Sequence, residues 1–177
     1  PMCAQYVNAT NCVATDKALY AFGHLDDISL EEDTDPATPW DVSSIYKVTD
    51  SEVKTATVDG RVIGIGKLDD NVYALSAVTH KTATVPGSKD LGQYLVLYTI
   101  KPDGSISSQT VKNSEVNSTY YSTNGEEQGI WATFANGSFY LGDAKVDVTA
   151  ITPEYKEIKT LVDGFMAIPY LADYYLG

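Results

Sequence analysis

The sequence is poor in the residue types that most enzymes use for nucleophilic and acid–base chemistry. It has two histidines, two cysteines and a single arginine, with no Gly-x-Ser-x-Gly elbow and no Cys-x-x-Cys pair. Nucleophilic catalysis needs a nucleophile beside a base, and structural zinc or thioredoxin-like redox chemistry needs clustered cysteines or histidines. These absences favour a non-enzymatic protein, so we assign no catalytic residue.

Basic charge and long apolar runs are also scarce. Twelve lysines and arginines stand against twenty-four acidic residues, which gives a formal net charge of −12. A nucleic-acid partner needs a basic footprint, and a membrane-spanning helix needs roughly 18 consecutive apolar residues. We therefore expect no nucleic-acid partner and no membrane-spanning segment.

Short apolar, β-branched and aromatic runs separated by turn signals fill the middle of the chain, the pattern of antiparallel strands. The prediction is an all-β, mostly antiparallel fold: a sandwich or barrel of repeated hairpins, with a small propeller as the alternative. We treat residues 1–177 as one β-rich domain in which residues 1–16 form an extended or partner-contacting arm. Four hairpins are predicted, in the segments ALYAFGHLDDISL, RVIGIGKLDDNVYALSAV, QYLVLYTIKPDGSISSQTV and GIWATFANGSFYLG.

The predicted turn centres are regularly spaced, at Asp27, Asp70, Gly104 and Gly137, with 33 to 43 residues between neighbours. Asn-Gly suits a type I′ turn, and Pro-Asp-Gly suits a type I turn followed by a left-handed glycine. The pentapeptide Gly-x-Leu-Asp-Asp occurs twice, at 23–27 and 66–70. We interpret it as strand followed by turn. The strand glycines Gly64 and Gly66 would permit close backbone approach, strong curvature or a bulge.

One short helix is predicted near the C-terminus. Thr152 is placed as its N-cap and Pro153 as its first residue, and apolar residues such as Tyr155, Ile158 and Leu161 share one face. A strand over the same residues is the alternative.

Three glycosylation sequons and two cysteines indicate an extracellular or cell-surface protein. The acceptors would be Asn8, Asn117 and Asn136. Cys3 and Cys12 can close a small disulfide loop, worth about 2–3 kcal/mol in a loop-entropy model, although free thiols or pairing between chains are alternatives. The prediction is a secreted or surface-exposed glycoprotein.

Candidate ligand-binding residues fall into two groups. The acidic segment from Asp26 to Asp41 supplies Asp33, Asp35 and Asp41 for calcium, against the simpler interpretation of a solvated acidic loop, and no other cofactor is predicted. The aromatic candidates combine large apolar area with a polar tip, against the simpler interpretation of sheet packing. They are Tyr120, Tyr121, Trp131, Tyr174 and Tyr175.

The leading hypothesis from sequence is a non-enzymatic extracellular interaction module, or a structural subunit of a surface assembly such as a filament. Its partner would be a second copy of the chain or another surface molecule, including a glycan, and a terminal strand can complete a neighbour's sheet. The alternatives are a lectin-like glycan-binding domain and a secreted carbohydrate-active enzyme that uses Glu126 or Glu127.

Overall fold

The computed structural model describes residues 12–25, 42–78, 94–114, 131–142 and 144–158. These residues form twelve β-strands and no helix. The strands are β1 (Cys12–Ala14), β2 (Leu19–Leu25), β3 (Val42–Val48), β4 (Val53–Asp59), β5 (Arg61–Leu68), β6 (Asn71–Val78), β7 (Tyr94–Ile100), β8 (Ile106–Thr110), β9 (Thr133–Ala135), β10 (Ser138–Leu141), β11 (Ala144–Asp147) and β12 (Tyr155–Glu157).

The strands form three four-stranded antiparallel sheets, each built from four consecutive strands. Sheet A has the order β1-β2-β3-β4, sheet B the order β5-β6-β7-β8, and sheet C the order β12-β11-β10-β9. The all-β, antiparallel prediction is confirmed. The repeated unit is a sheet of four strands, the unit from which propellers are also built, and is larger than the single hairpin assumed from sequence.

Sheet B lies between the other two sheets and is covered on both faces. Its first strand, β5, contacts β1, β2 and β3 of sheet A on one side and β9 of sheet C on the other. Along β6, Tyr73, Leu75 and Ala77 belong to the core shared with sheet C, whereas Val72 and Ala74 belong to the core shared with sheet A. Burial on both faces explains why β6 is a continuous apolar run instead of an alternating one.

Three of the four predicted turns are confirmed. Asp69, at φ 53°, lies in the two-residue turn between β5 and β6, and Asn136 and Gly137, at φ 49° and 78°, form the turn between β9 and β10. Gly104, at φ 89°, lies between β7 and β8, where its amide donates a hydrogen bond to the Lys101 carbonyl at 2.8 Å. The fourth turn centre, Asp27, lies outside the described residues.

The helix predicted from Thr152 is wrong over the part of it that is described. Tyr155–Glu157 form β12, which pairs with β11, so the strand alternative holds. The Tyr155 amide donates to the Lys112 carbonyl at 2.9 Å, and the Lys112 amide donates to the Pro153 carbonyl at 2.9 Å. Tertiary pairing to a distant segment therefore overrides the local capping signal.

The glycines of β5 allow sheet C to approach closely. A Cβ on Gly66 would lie within 2.1 Å of the Phe134 ring, and a Cβ on Gly64 would lie 2.9 Å from the Ala132 carbonyl oxygen. The pairing of β5 with β6 also shifts register between Val62 and Gly64. Close backbone approach and a bulge, two of the three expectations for these glycines, are confirmed.

A single residue, Gly60, separates β4 in sheet A from β5 in sheet B, and buried hydroxyls hold this corner. Ser43 Oγ donates to the Gly60 carbonyl at 2.8 Å and accepts from the Val62 amide at 3.0 Å. Ser76 Oγ donates to the Asp59 carbonyl at 2.7 Å. These hydroxyls bond backbone groups at the point where the chain passes from sheet A to sheet B.

Tyr98 also bonds the backbone at this corner. We expect Tyr98→Phe to lower the free energy of unfolding of the protein by about 1–2 kcal/mol. Its hydroxyl accepts from the Asp59 amide at 3.0 Å and donates to the Asp59 carbonyl at 3.3 Å. Burial, and secondarily the charge of Asp59, raises the pKa of Tyr98 from 10.0 to about 12. Since the folded pKa exceeds the unfolded one, this contribution is complete below pH 10 and is lost as pH rises toward 12.

The measurement is urea unfolding of the wild type and of Tyr98→Phe between neutral pH and pH 12. The free-energy difference between the two proteins should shrink above pH 10, because the wild type alone carries this titration. A difference that stays constant across that range would contradict the role of the Tyr98 hydroxyl.

Candidate functional site

The strands that are joined by long connecting segments end on the same side of the stack of sheets. We call this side the loop end. Segment 26–41 joins the paired residues Leu25 and Val42, and segment 79–93 joins the paired residues Val78 and Tyr94. Segment 115–130 leads directly into Trp131. Binding residues often lie on the segments that connect the strands of a scaffold, so this end of the stack is a candidate site.

Sheets B and C are oriented so that the start of β9 lies beside the start of β5. The strand ends that carry the connecting segments therefore lie on the same side of the stack. At the start of β5, the Ala132 amide donates to the Ile63 carbonyl at 2.9 Å. At the far end of β5, a Cβ on Gly137 would lie 3.5 Å from the Leu68 side chain. β5 therefore runs alongside β9 in the same direction, and Trp131 lies at the loop end.

Trp131 forms an aromatic pair with Phe22, which lies in the middle of β2. Their ring centroids are 6.4 Å apart with an interplanar angle of 33°. Trp131 is 61% exposed, whereas Phe22 is half-buried and packs against the core between sheets A and B. An indole held against a partly buried ring presents a large, oriented apolar surface to solvent.

The other described aromatic pairs lie in the core between sheets B and C. Tyr73 stacks on Phe134 at 6.5 Å, and Phe134 meets Phe139 edge-on at 4.9 Å. Phe139 is fully buried. These rings pack sheets B and C together, as ordinary core residues do. Trp131 is exposed, so the simpler interpretation of core packing is wrong for that residue.

The outer face of sheet A, which points away from sheet B, is a second candidate surface. Cross-strand partners share a face, and the register places alternate residues of the four strands on this side. Three successive cross-strand rows contain no charged side chain. The rows are Ala14, Leu19, Val48 and Val53; Cys12, Ala21, Tyr46 and Thr55; and Gly23, Ser44 and Thr57.

Tyr46 lies across this outer face. A Cβ on Gly23 would be 3.4 Å from Tyr46 Cε2 and 3.7 Å from its hydroxyl, so the ring covers the glycine backbone. Val53, at the edge of the sheet, is 62% exposed. Within the strands of this sheet, the register places Asp59, at the end of β4, on the same side. The outer face is therefore uncharged and small-residue-rich over three rows, but Ser44 in the third row is only 3% exposed, so the face is not open to solvent there.

A small cleft on sheet C is lined by both basic and acidic side chains. Lys145 on β11 faces Lys156 on β12 directly, with room for about 100 Å³ beside them and with Asp147 and Glu154 in its lining. Hydrogen bonds from the Thr149 hydroxyl and amide lower the pKa of Asp147, with a smaller effect from the two lysines. Two acids offset two lysines, so the cleft has no preference for one sign of charge.

Among the residues predicted from sequence to form sites, three fall in described ranges. Asn136 is exposed in its turn, Trp131 is exposed, and Cys12 begins β1. That strand brings the described part of the predicted arm into sheet A. The remaining predicted residues lie outside the described residues, so their roles stay predictions: Cys3, Asn8, Asp33, Asp35, Asp41, Asn117, Tyr120, Tyr121, Glu126, Glu127, Tyr174 and Tyr175.

Two absences hold within the described ranges. No three His, Cys, Asp or Glu side chains there come together as a metal site, and the calcium candidates Asp33, Asp35 and Asp41 lie outside those ranges. No helix in the same part of the chain is long and apolar enough to cross a membrane.

Sequence reasoning missed Phe22 as the partner of Trp131, and it missed the outer face of sheet A. Nothing local pairs Phe22 with a residue so far along the chain. A sequence signal for the outer face exists, because alternate residues of VSSIYKV and VKTATVD are uncharged. The sequence alone does not give the strand register that places these residues side by side.

The aromatic pair and the outer face of sheet A are thus the two candidate binding surfaces. The first presents one large oriented ring to solvent, and the second is a sheet face of small and apolar side chains that is already covered at Ser44. Comparison with protein-family models, with curated proteins and with solved structures finds no match for this chain.

Proposed function

We propose that this protein is a non-enzymatic extracellular or cell-surface interaction module, and that Trp131, held against Phe22, is the centre of its recognition surface. The single observation that carries the proposal is the 61% exposure of Trp131. Tryptophan is strongly enriched among the residues that dominate binding energy at interfaces. An indole fixed by a neighbouring ring also loses less conformational entropy on binding.

The position of Trp131 supports the same proposal. It lies at the loop end, where segments 26–41 and 79–93 attach and where segment 115–130 arrives. These segments carry many of the acidic and aromatic residues that the sequence singles out. A recognition surface at the strand ends of packed β-sheets is a common arrangement in β-rich binding proteins.

A glycan-binding function is the second candidate, and the exposed indole is the observation that favours it. An aromatic face offers flat apolar area to the C–H groups of a sugar ring, and indole adds an N–H donor. The two candidates share the Trp131 surface and differ in the partner.

We expect Trp131→Ala to weaken binding by at least about tenfold, the cost of truncating a central aromatic contact. Because the side chain is mostly exposed, the melting temperature should change little. Ile151→Ala is the matched control, since Ile151 is 93% exposed and lies away from the loop end, on the turn that precedes β12.

The measurement is binding of the wild type and both variants to a glycan array and to an array of extracellular protein domains. Binding to glycans that is lost in Trp131→Ala supports the lectin-like function, and binding to proteins that is lost in the same way supports the interaction module. Equal binding by Trp131→Ala and the wild type would contradict the proposal in both forms.

A further inference from the structure

We propose that the partner of the Trp131 surface is a basic polypeptide segment, extended and rich in arginine and lysine. This assignment rests on the proposed function and adds to it the chemistry of what Trp131 binds. Two observations carry it: the indole is 61% exposed, and the negative charge of the chain is concentrated in the segments that attach beside it.

Most of the net charge of the chain belongs to the three long connecting segments, 26–41, 79–93 and 115–130. Together they contain eleven acidic residues and two lysines, which gives a formal charge of −9 out of the −12 of the whole chain. At the strand ends on the same side, Asp59 and Arg61 offset each other. About a quarter of the residues therefore carries three quarters of the net charge.

Both ends of each segment are attached at the loop end. The first two segments join paired strand ends. The third follows Ser114, whose hydroxyl accepts from the Leu95 amide at 2.9 Å, and it ends at Trp131. Phe22, which contacts Trp131, lies three residues before the end of β2, or about 10 Å from the start of the first segment. Charges at this separation interact, because the Debye length is about 8 Å at physiological ionic strength and about 30 Å at 0.01 M.

An exposed indole in a negative field favours a cationic ligand. The face of tryptophan attracts ammonium and guanidinium groups more strongly than other aromatic rings do, and the planar guanidinium of arginine also stacks on it. The ring of Trp131 is held 6.4 Å from that of Phe22, so one face is oriented before binding. Negative potential at the loop end also speeds the approach of a basic partner.

The division of the acids among three segments favours a polypeptide over a single cation. An extended chain advances about 3.3 Å per residue, so one arginine can stack on Trp131 while its neighbours lie in the field of different segments. A neutral glycan would use the indole and leave this charge without a role.

The test is fluorescence anisotropy of two labelled decapeptides with the full chain, one of alternating arginine and serine and the other of alternating glutamine and serine. Only the arginine peptide should bind, and its affinity should fall at least about tenfold between about 10 and about 150 mM salt, because screening increases. Trp131→Ala should weaken binding at least about tenfold. Trp131→Phe should retain more affinity than Trp131→Leu, since leucine has no ring quadrupole.

Two double variants with the same net charge test where the acids must lie. Asp26→Asn with Asp27→Asn removes two charges where the first segment leaves the loop end. Asp69→Asn with Asp70→Asn is the matched control, since it alters the second copy of the pentapeptide, in the turn at the opposite end of β5. The first variant should weaken binding about fivefold, and the control should bind as the wild type does.

Equal weakening by the two double variants, or unchanged binding by Trp131→Ala, would overturn the assignment of a basic partner. Displacement of the arginine peptide by a chitosan hexamer at lower concentration than by unlabelled peptide would overturn it in favour of a cationic glycan. A wild type that does not bind the arginine peptide would also overturn it. The proposed function would survive that result if a partner on the arrays is lost in Trp131→Ala.

Discussion

Replacing Gly66 with alanine is expected to lower the free energy of unfolding by about 3 kcal/mol, the upper part of the usual range for overpacking. The added Cβ would lie 2.1 to 2.6 Å from three carbons of the Phe134 ring, far inside van der Waals contact. That ring is itself held edge-on against the buried Phe139. Sheet C must therefore move away from β5, and the contacts between the two sheets weaken together.

Gly23→Ala is the matched control, since Gly23 and Gly66 occupy the same position in the two Gly-x-Leu-Asp-Asp copies. A Cβ on Gly23 would meet Tyr46 at 3.4 Å, an ordinary contact. We expect this variant to stay within about 1 kcal/mol of the wild type, because alanine reduces unfolded-state entropy at no steric cost. Thermal and urea unfolding measure both, and equal effects of the two substitutions would contradict the close approach of sheet C to β5.

Phe139→Ala is expected to cost about 3–5 kcal/mol, the range for removing a fully buried aromatic ring. Phe139 is fully buried in the core between sheets B and C. The lost ring leaves a cavity beside Phe134 and Gly64, and the strand backbones on both sides limit how far it can collapse.

Denaturant unfolding gives the free energy of unfolding of Phe139→Ala and of Ile151→Ala. The comparison distinguishes the loss of a buried side chain from the loss of an exposed apolar one. Ile151 is 93% exposed, so its truncation should change stability by less than about 0.5 kcal/mol. A loss below 1 kcal/mol in Phe139→Ala would show that sheets B and C do not share a packed core.

Strands and turns were predictable from the sequence because their causes are local. The two-residue alternation along β4 and the positive-φ tolerance of Asn136 and Gly137 act within a few residues. The Gly-x-Leu-Asp-Asp repeat was correctly interpreted as strand and turn in its second copy. The pentapeptide itself does not fix a position in the fold, since its glycine lies in the second strand of sheet A in one copy and in the first strand of sheet B in the other.

The stacking of the sheets was not predictable, because it depends on contacts between residues distant in sequence. The two glycines of β5 signalled a close approach without identifying Phe134 as the neighbour. The capping signal at Thr152 and Pro153 pointed to a helix, and only pairing with Lys112 and β11 makes that segment a strand. The pairing of Trp131 with Phe22 also depends on how the sheets stack. The sequence therefore predicted Trp131 as a candidate binding residue but did not predict Phe22 as its partner.

The claim that Trp131 is an exposed recognition residue is tested most directly by its fluorescence in a Trp40→Phe variant, where it is the only tryptophan. With 61% of its surface exposed, Trp131 should emit at long wavelength and be quenched by acrylamide nearly as strongly as free tryptophan. Emission at short wavelength that acrylamide leaves unquenched would place the indole in the core and would contradict the proposed recognition surface.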